Sequence, residues 1–430
     1  MLMTRPTSYA AALLAGLVMG AALVSNYGLT ASGELDVREL EAPAAPGSGM
    51  YSLAAGADGH AYLSWIEAAG PAGVTDVKQA KAHAMRFSRL EGDKWSAPGS
   101  VASGDDWFVN WADHPSLTAL ADGTLVAHWL VNNGQHKGAY GYGLRIARST
   151  DRGATWREAF RAGTENVQDY SGFVTLLPRG NGFLAAYLTP VTPDLPTLAS
   201  HEAGAADDHH EVEHVKTLSI AEFGADGALV ADRVVDADTC TCCPTTFVDT
   251  ADGPIVAYRD HDPGEIRDMS IVGQRDGRWT APAAIHRDGW RINACPTNGP
   301  VLAASVRRVA AGWFTAANDQ PRVKLAFSSD SGATFGTPVS VDEGHPIGWP
   351  AIALLDDGGA AVTWLESSSG RGEVRLRRVW PDGRLGTSHV VAAAQPGRST
   401  GVLQMVRTGA ELVLAWRTDR VMTALVTVLE

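Results

Sequence analysis

The sequence predicts an all-β chain, a β-propeller of four-stranded blades, with seven blades favoured and six the alternative. Three observations carry this reading. An aromatic residue recurs at the end of paired apolar stretches: Trp65, Trp129, Tyr187, Tyr258, Trp313, Trp364 and Trp416 stand 64, 58, 71, 55, 51 and 52 residues apart. The paired stretches are joined at Gly or Asp-Gly, as in HPSLTALADGTLVAHWL and GWPAIALLDDGGAAVTWL, which is a hairpin signal. Over residues 50–430 almost no stretch combines a helical period with caps.

Each repeat is built in the same order. An inner apolar strand turns into a second strand that ends at the aromatic. A third alternating strand follows, for example GLRIARST from Gly143, VKLAFSS from Val323 and EVRLRRVW from Glu373. A short fourth piece completes the unit, as in RWTAPAAIH from Arg278. Four strands at this period match one propeller blade. A solenoid would need polar caps at both ends, which are not evident, whereas a closed ring removes its exposed edges. The last repeat, residues 400–429, has room for three strands, and LDVRELE from Leu35 is expected to supply the fourth. The chain therefore divides into an export signal or membrane anchor at 1–31, a leader holding that strand at 32–49, and a single propeller domain at 50–430.

Composition agrees. The 430 residues are 45% hydrophobic and include 46 Gly, which describes a folded chain rich in tight turns. Small blades need only one or two large aromatics each, which explains how 13 Trp, 10 Phe and 9 Tyr suffice. A formal charge of -13 excludes a general nucleic-acid binder, whose affinity comes from neutralising phosphates. Near the start, Arg5 precedes an apolar run over residues 9–24, shorter than the roughly 20 residues that span a bilayer. The expectation is an exported protein: periplasmic, extracellular or anchored at the outer face of the cytoplasmic membrane. Membrane contact is then confined to that segment.

Two short motifs narrow the fold. STDRGATW at 149–156 and SSDSGATF at 328–335 resemble the Asp-box, S-x-D-x-G-x-T-[WF], of sialidases and related propellers. Asp151 and Asp330 can accept the turn's hydrogen bonds, Gly153 and Gly332 permit its geometry, and Trp156 and Phe335 anchor it on the blade. The resemblance implies a sialidase-like propeller. Such proteins grip a carboxylate with three arginines and use a Tyr nucleophile, a Glu that activates it and an Asp acid/base. The first-blade R-I-P signature has no counterpart, since the strand MYSLAAG from Met50 lacks Arg. On the remaining positions the resemblance points to Arg259 and Arg267 with Arg322 as a third cation, to Tyr170 or Tyr258 as nucleophile, and to Asp106, Asp260 or Glu265 for acid/base work.

In a propeller the loops leading into the innermost strands converge at one mouth of the channel. Here they carry Trp111, Asp113 and His114, then Tyr170, then Cys240, Cys242 and Cys243, then Cys295 and Asn298, then Trp349. A sugar face can stack on Trp111 or Trp290. All four cysteines fall in two neighbouring loops. For an exported chain, disulfides are the first expectation, with three complete pairings open. A thiolate site for zinc or copper is the alternative. The CTCCP tract does not read as a standard two-residue-gap zinc pair, and a redox dithiol ranks below both because the tract does not read as a C-x-x-C motif. The insert DDHHEVEH adds His209, His210 and His214, either as a solvated excursion or as a lid that joins the thiols. Three functions follow: a glycan or small anionic ligand bound or hydrolysed at the mouth, a metal-binding or redox-associated propeller, or a non-catalytic envelope scaffold with a protein partner.

Overall fold

The protein is described from a computed structural model, which covers residues 35–70, 74–132, 141–162, 171–190 and 216–428. Seven antiparallel sheets surround one channel. Their inner strands, from blade 1 to blade 7, are Gly49–Ala55, Ser116–Ala119, Gly172–Arg179, Thr246–Val248, Val301–Ser305, Pro346–Leu354 and Gln404–Thr408. In blades 1 and 4 the outer strand is broken into two short pieces. The ring is closed by Leu35–Leu40, which pairs with Val421–Val428 as the outer strand of blade 7 and sets Leu35 opposite Val428. Among the described residues the only helices are the 3-10 turns Ala317–Asp319 and Arg398–Thr400, and no helix is long and apolar enough to cross a membrane.

The recurring aromatics explain how such narrow blades stay packed. Trp65, Tyr187, Tyr258, Trp313, Trp364 and Trp416 all lie on the second strand of their blade and are buried. A buried N–H or O–H needs an acceptor, because an unpaired one costs about 1–3 kcal/mol. Carboxylates supply most of these acceptors: Asp232 for Tyr187 at 2.7 Å, Asp288 for Trp313 at 2.7 Å, Glu366 for Trp364 at 2.6 Å, and Asp236 for Tyr258. Trp129 instead stacks on Trp107 with centroids 5.9 Å apart.

Polar sutures join neighbouring blades on both faces of the ring. On the face where third strands turn into fourth, the two Asp-boxes have the geometry expected of them. Asp151 accepts from the Thr155 amide at 2.8 Å and its hydroxyl at 2.6 Å, and Ser149 Oγ accepts from the Gly153 amide at 2.7 Å. Asp330, Thr334, Ser328 and Gly332 repeat the pattern. The Thr155 hydroxyl and amide bonds hold the Asp151 carboxyl at about 2. Trp156 reaches back to blade 1, donating to Ser100 O at 3.0 Å and packing edge-on against Phe87. Phe335 packs into the apolar cluster between blades 4 and 5.

The opposite face carries the channel mouth. Here the inner strands of blades 1, 3 and 6 each begin with a bulge. At each bulge a Gly precedes a large residue with positive φ: Met50 at 49°, Phe173 at 53° and Trp349 at 49°. In two of them the displaced amide is taken by the preceding blade. Asp113 Oδ1 accepts from Phe173 N at 2.7 Å, and Asn298 Oδ1 accepts from Trp349 N at 2.7 Å. Both contacts need the Gly. A Cβ on Gly172 would lie 2.1 Å from Asp113 Oδ2, and one on Gly348 would lie 2.3 Å from Asn298 Oδ1.

Gly172→Ala is therefore expected to destabilise the ring by about 2–4 kcal/mol, in the range of buried clashes and broken polar networks. Gly59→Ala, at φ 85° with open space around it, is expected to cost about 1–2 kcal/mol from backbone strain alone. Urea unfolding of the two variants checks this, and equal losses would refute the suture.

Candidate functional site

The channel is a cavity of about 620 Å³. Its walls are mostly small and β-branched side chains, and Asp113 and His114 are among the polar groups that line it at the mouth. Asp113 is almost fully buried, accepts from Tyr142 Oη at 2.8 Å, and is pushed up to about 7 by burial. Burial also lowers His114, and it drives His128, whose Nδ1 lies 2.9 Å from Ser116 Oγ, down to about 3. Both imidazoles are thus neutral at ordinary pH, so His114 brings no positive charge to an anionic ligand. Trp111 stands edge-on to Trp349 at 5.4 Å, with the Arg398 guanidinium 5.4 Å above its ring.

Beside the channel, on the same face, the four cysteines meet. Cys240, Cys242 and Cys243 lie between the outer strand of blade 3, Leu229–Thr239, and the inner strand of blade 4. Cys295 arrives from the loop between blades 4 and 5. The sulfur of Cys240 is 3.6 Å from that of Cys243 and 3.9 Å from that of Cys242. The three donor atoms all lie within 4.8 Å of one another, a set that can hold a metal ion. Cys242 is also near enough to Cys295 for the two thiols to interact. All four are free thiols, and the Cys240 separations far exceed the roughly 2.05 Å of a disulfide. No expected disulfide is therefore formed here. Contrary to the sequence reading, Cys240 and Cys243 do form a C-x-x-C spacing, with Thr241 and Cys242 between them, and the third cysteine inside it obscured the pattern.

The thiols are electrostatically graded. Hydrogen bonds from Cys242 and Cys243, then the charge of Arg259, hold Cys240 well below the usual thiol range. Burial pushes Cys243 up to about 12, and the hydrogen bond from Cys242 brings Cys295 down to about 7. Arg267 is fully buried, donates to Cys240 Sγ at 3.5 Å, and pairs with Glu265 at 2.8 Å. The cluster thus sits against two guanidinium charges and one carboxylate. That balance favours an anionic Cys240, because a buried charge needs a partner, while Cys242 and Cys243 are held protonated.

The residues assigned by resemblance are placed differently from an anion grip. Arg259 follows the blade aromatic and clamps main chain. It donates to Asn298 O at 3.1 and 2.7 Å, to Phe314 O at 2.8 Å and to Arg267 O at 2.5 Å, and lies over the Trp290 ring at 4.7 Å. Trp290 is correspondingly buried under Arg259 and Phe314, and offers no face to a sugar. Arg322 lies in blade 5 with Asp342 at 3.4 Å, away from the other two arginines' shared loops. Tyr258 occupies the structural aromatic position. Burial, then the charge of Asp236, raises its phenol well above the usual range, which opposes a nucleophilic role. Asp260 accepts from Ser270 Oγ at 2.6 Å and is pushed up to about 7 by burial and then Asp236. It belongs to this inter-blade pair and not to the channel wall. Asp106 is exposed at the blade 1 to blade 2 crossover, also off the channel wall. Tyr170, His209, His210 and His214 lie outside the described residues. Sequence reasoning missed Arg398, Arg417 and Lys78 at the mouth. Arg417 follows Trp416 as Arg259 follows Tyr258, so the aromatic-Arg dipeptide was the available signal.

A seven-bladed ring with Asp-box turns and a polar mouth defines a sialidase-like propeller. The chain belongs to the BNR repeat-like domain family, whose profile matches residues 73–362, about two thirds of its length. It is similar in structure to a polysaccharide lyase, an ulvan lyase bound to -[GlcA(1-4)Rha3S]-, at 11% identity and TM-score 0.54, with 90% of this chain and 95% of that one covered. It also matches a Trypanosoma rangeli sialidase in complex with 2,3-difluorosialic acid, at 13% identity and TM-score 0.44, over 79% of this chain and 56% of that one. No curated protein matches it by sequence.

His261 borders the thiol site, with Nδ1 2.8 Å from Asp238 and Nε2 3.4 Å from Glu265. The hydrogen bond to Asp238 raises it from 6.5 to about 9. A raised histidine stabilises the fold fully below its unfolded value and loses that contribution as pH climbs through the folded one. The difference in thermal midpoint between the native chain and His261→Gln is therefore expected to shrink from pH 6.5 to 9. A difference that is flat or grows over that window would contradict the pairing.

Proposed function

We propose that this chain is an exported propeller that holds a soft metal ion, zinc or cuprous copper, in the thiol cluster of its mouth face. The observation that carries the reading is the convergence of three buried cysteine sulfurs within 4.8 Å. Thiolate is the donor class that selects these ions. The Cys240 sulfur beside Arg259 and Arg267 is poised to lose its proton, and a bound metal would displace the protons of the other two thiols. The metal would tie together the loop that leads from blade 3 into blade 4, so binding should stabilise the fold as well as fill a site.

Reduced protein is expected to retain one zinc or cuprous ion per chain after desalting, measured by elemental analysis, and to melt at a higher temperature than the chelated form. Cys243→Ser is expected to weaken binding by about 10-fold or more. Reduced, folded protein that retains no metal would end this reading.

A second reading, that the mouth takes a glycan carrying acidic groups, is favoured by a separate observation. Arg398 over Trp111 and the exposed Lys78 have no carboxylate partner among the described residues, and Arg417 lines the same recess. An aromatic face beside free cations suits a sugar bearing carboxylate or sulfate, groups present in the saccharide of the similar ulvan lyase. Calorimetry with a sulfated, uronate-containing oligosaccharide is expected to give binding that Trp111→Ala weakens by about 1–2 kcal/mol and that falls with salt. Binding that neither Trp111→Ala nor Arg398→Ala affects would exclude this mouth as the site.

A further inference from the structure

The four thiols are not equivalent. Cys240 is 1% exposed, Cys243 2% and Cys242 8%, while Cys295 is exposed. This ranking runs in one direction through space. Cys240 is enclosed by Arg267, Glu265 and the apolar packing of blades 3 and 4. Cys242, the most open of the buried three, is the one that touches Cys295. Cys295 stands outside the trio on a run of exposed residues, Asn293, Ala294 and Cys295 itself. A closed structural zinc site would bury all four ligands alike. Three enclosed donors with one exposed sulfur at their open side form instead a three-coordinate pocket with an access ligand, and three-coordinate sulfur suits the cuprous ion.

We infer that Cys240, Cys242 and Cys243 hold cuprous copper, and that Cys295 is the exchange ligand through which the ion passes to and from a carrier offering thiolate or thioether sulfur. This rests on the metal-binding reading above. The transfer is a ligand substitution without electron transfer. Cys295 gives its proton to water and its thiolate bonds copper as one carrier sulfur leaves. Cys242 then displaces the next carrier sulfur, and the ion moves inward as Cys240 and Cys243 bond it and Cys295 leaves, taking a proton back from water; copper remains Cu(I) throughout. The thiol protons released go to solvent.

The test uses the full reduced chain with Cu(I)–glutathione as donor, following transfer by stopped flow and affinity by competition with a cuprous chelator. Cys295→Ser is expected to keep one copper per chain with affinity within about threefold of the native protein, and to slow transfer by about 10-fold or more, the scale of outer-ligand effects at metal sites. Cys295→Met, which restores a soft sulfur, is expected to recover part of the lost rate. Cys295 is exposed, so neither change should disturb folding, and matched melting curves verify this. An unchanged rate in Cys295→Ser would overturn the inference. So would a loss of affinity as large as that of Cys243→Ser, because Cys295 would then be an ordinary fourth ligand. Failure of the native protein to bind copper while it binds zinc would overturn the cuprous assignment, and binding of neither would overturn the metal reading itself.

Discussion

Everything at the mouth depends on how one blade takes hold of the next. A closed ring of narrow sheets has apolar contact between blades, but apolar contact is non-directional and does not fix the angle between sheets. Direction comes from polar groups. At the mouth, Asp113 and Asn298 each reach into the following blade and take an amide that a bulge has turned out of its ladder. Arg259 and Arg417 do a related job one strand further out. Each follows a blade aromatic and donates to a carbonyl in the loop leading into the next blade, Asn298 in one case and Ser48 in the other. On the far face, the Asp-boxes brace their blades against earlier neighbours through Trp156 and through Gly332, which packs close to Ile255.

The thiol cluster is a by-product of the same scaffolding. The Cys240 amide donates to the carbonyl of Arg259 at 3.1 Å, while the Arg259 side chain holds the loop that carries Cys295 onward to Asn298. One residue therefore sets the separation of the two cysteine-bearing loops. Its charge also acts on the sulfurs. A buried guanidinium fully occupied by carbonyls is costly to place unless it serves such a joint purpose, since a charge out of water must be compensated.

Much of the fold was legible because its signals are local. The aromatic spacing, the Gly turns and the two Asp-box octapeptides each reflect backbone geometry within a few residues, and the seven sheets follow them. The meeting of the cysteines was legible from topology, since adjacent repeats place adjacent loops side by side. What the residues alone do not carry is direction and burial. Arg259 and Arg267 read as a pair of anion donors by family resemblance, yet one points into main-chain carbonyls and the other to Glu265 and Cys240. Tyr258 read as a nucleophile although its place in the aromatic series marks it as core. The Gly-Met, Gly-Phe and Gly-Trp pairs of the bulged strands were missed because they are only two residues long and resemble ordinary strand starts.

The ring-closing strand has a consequence for assembly. Leu35 and Val428 are partners across almost the whole chain, and joining such distant points costs roughly 5 kcal/mol of loop-closure entropy if nothing has ordered between them. Each blade that packs in sequence shortens that gap before closure is attempted. The final clasp can form only once the last strand has been made. Until then, blade 7 presents an unpaired edge and the first strand has no partner. A chain cut short before its last strand therefore cannot shut the ring, and it leaves both that blade and the first strand with open sheet edges.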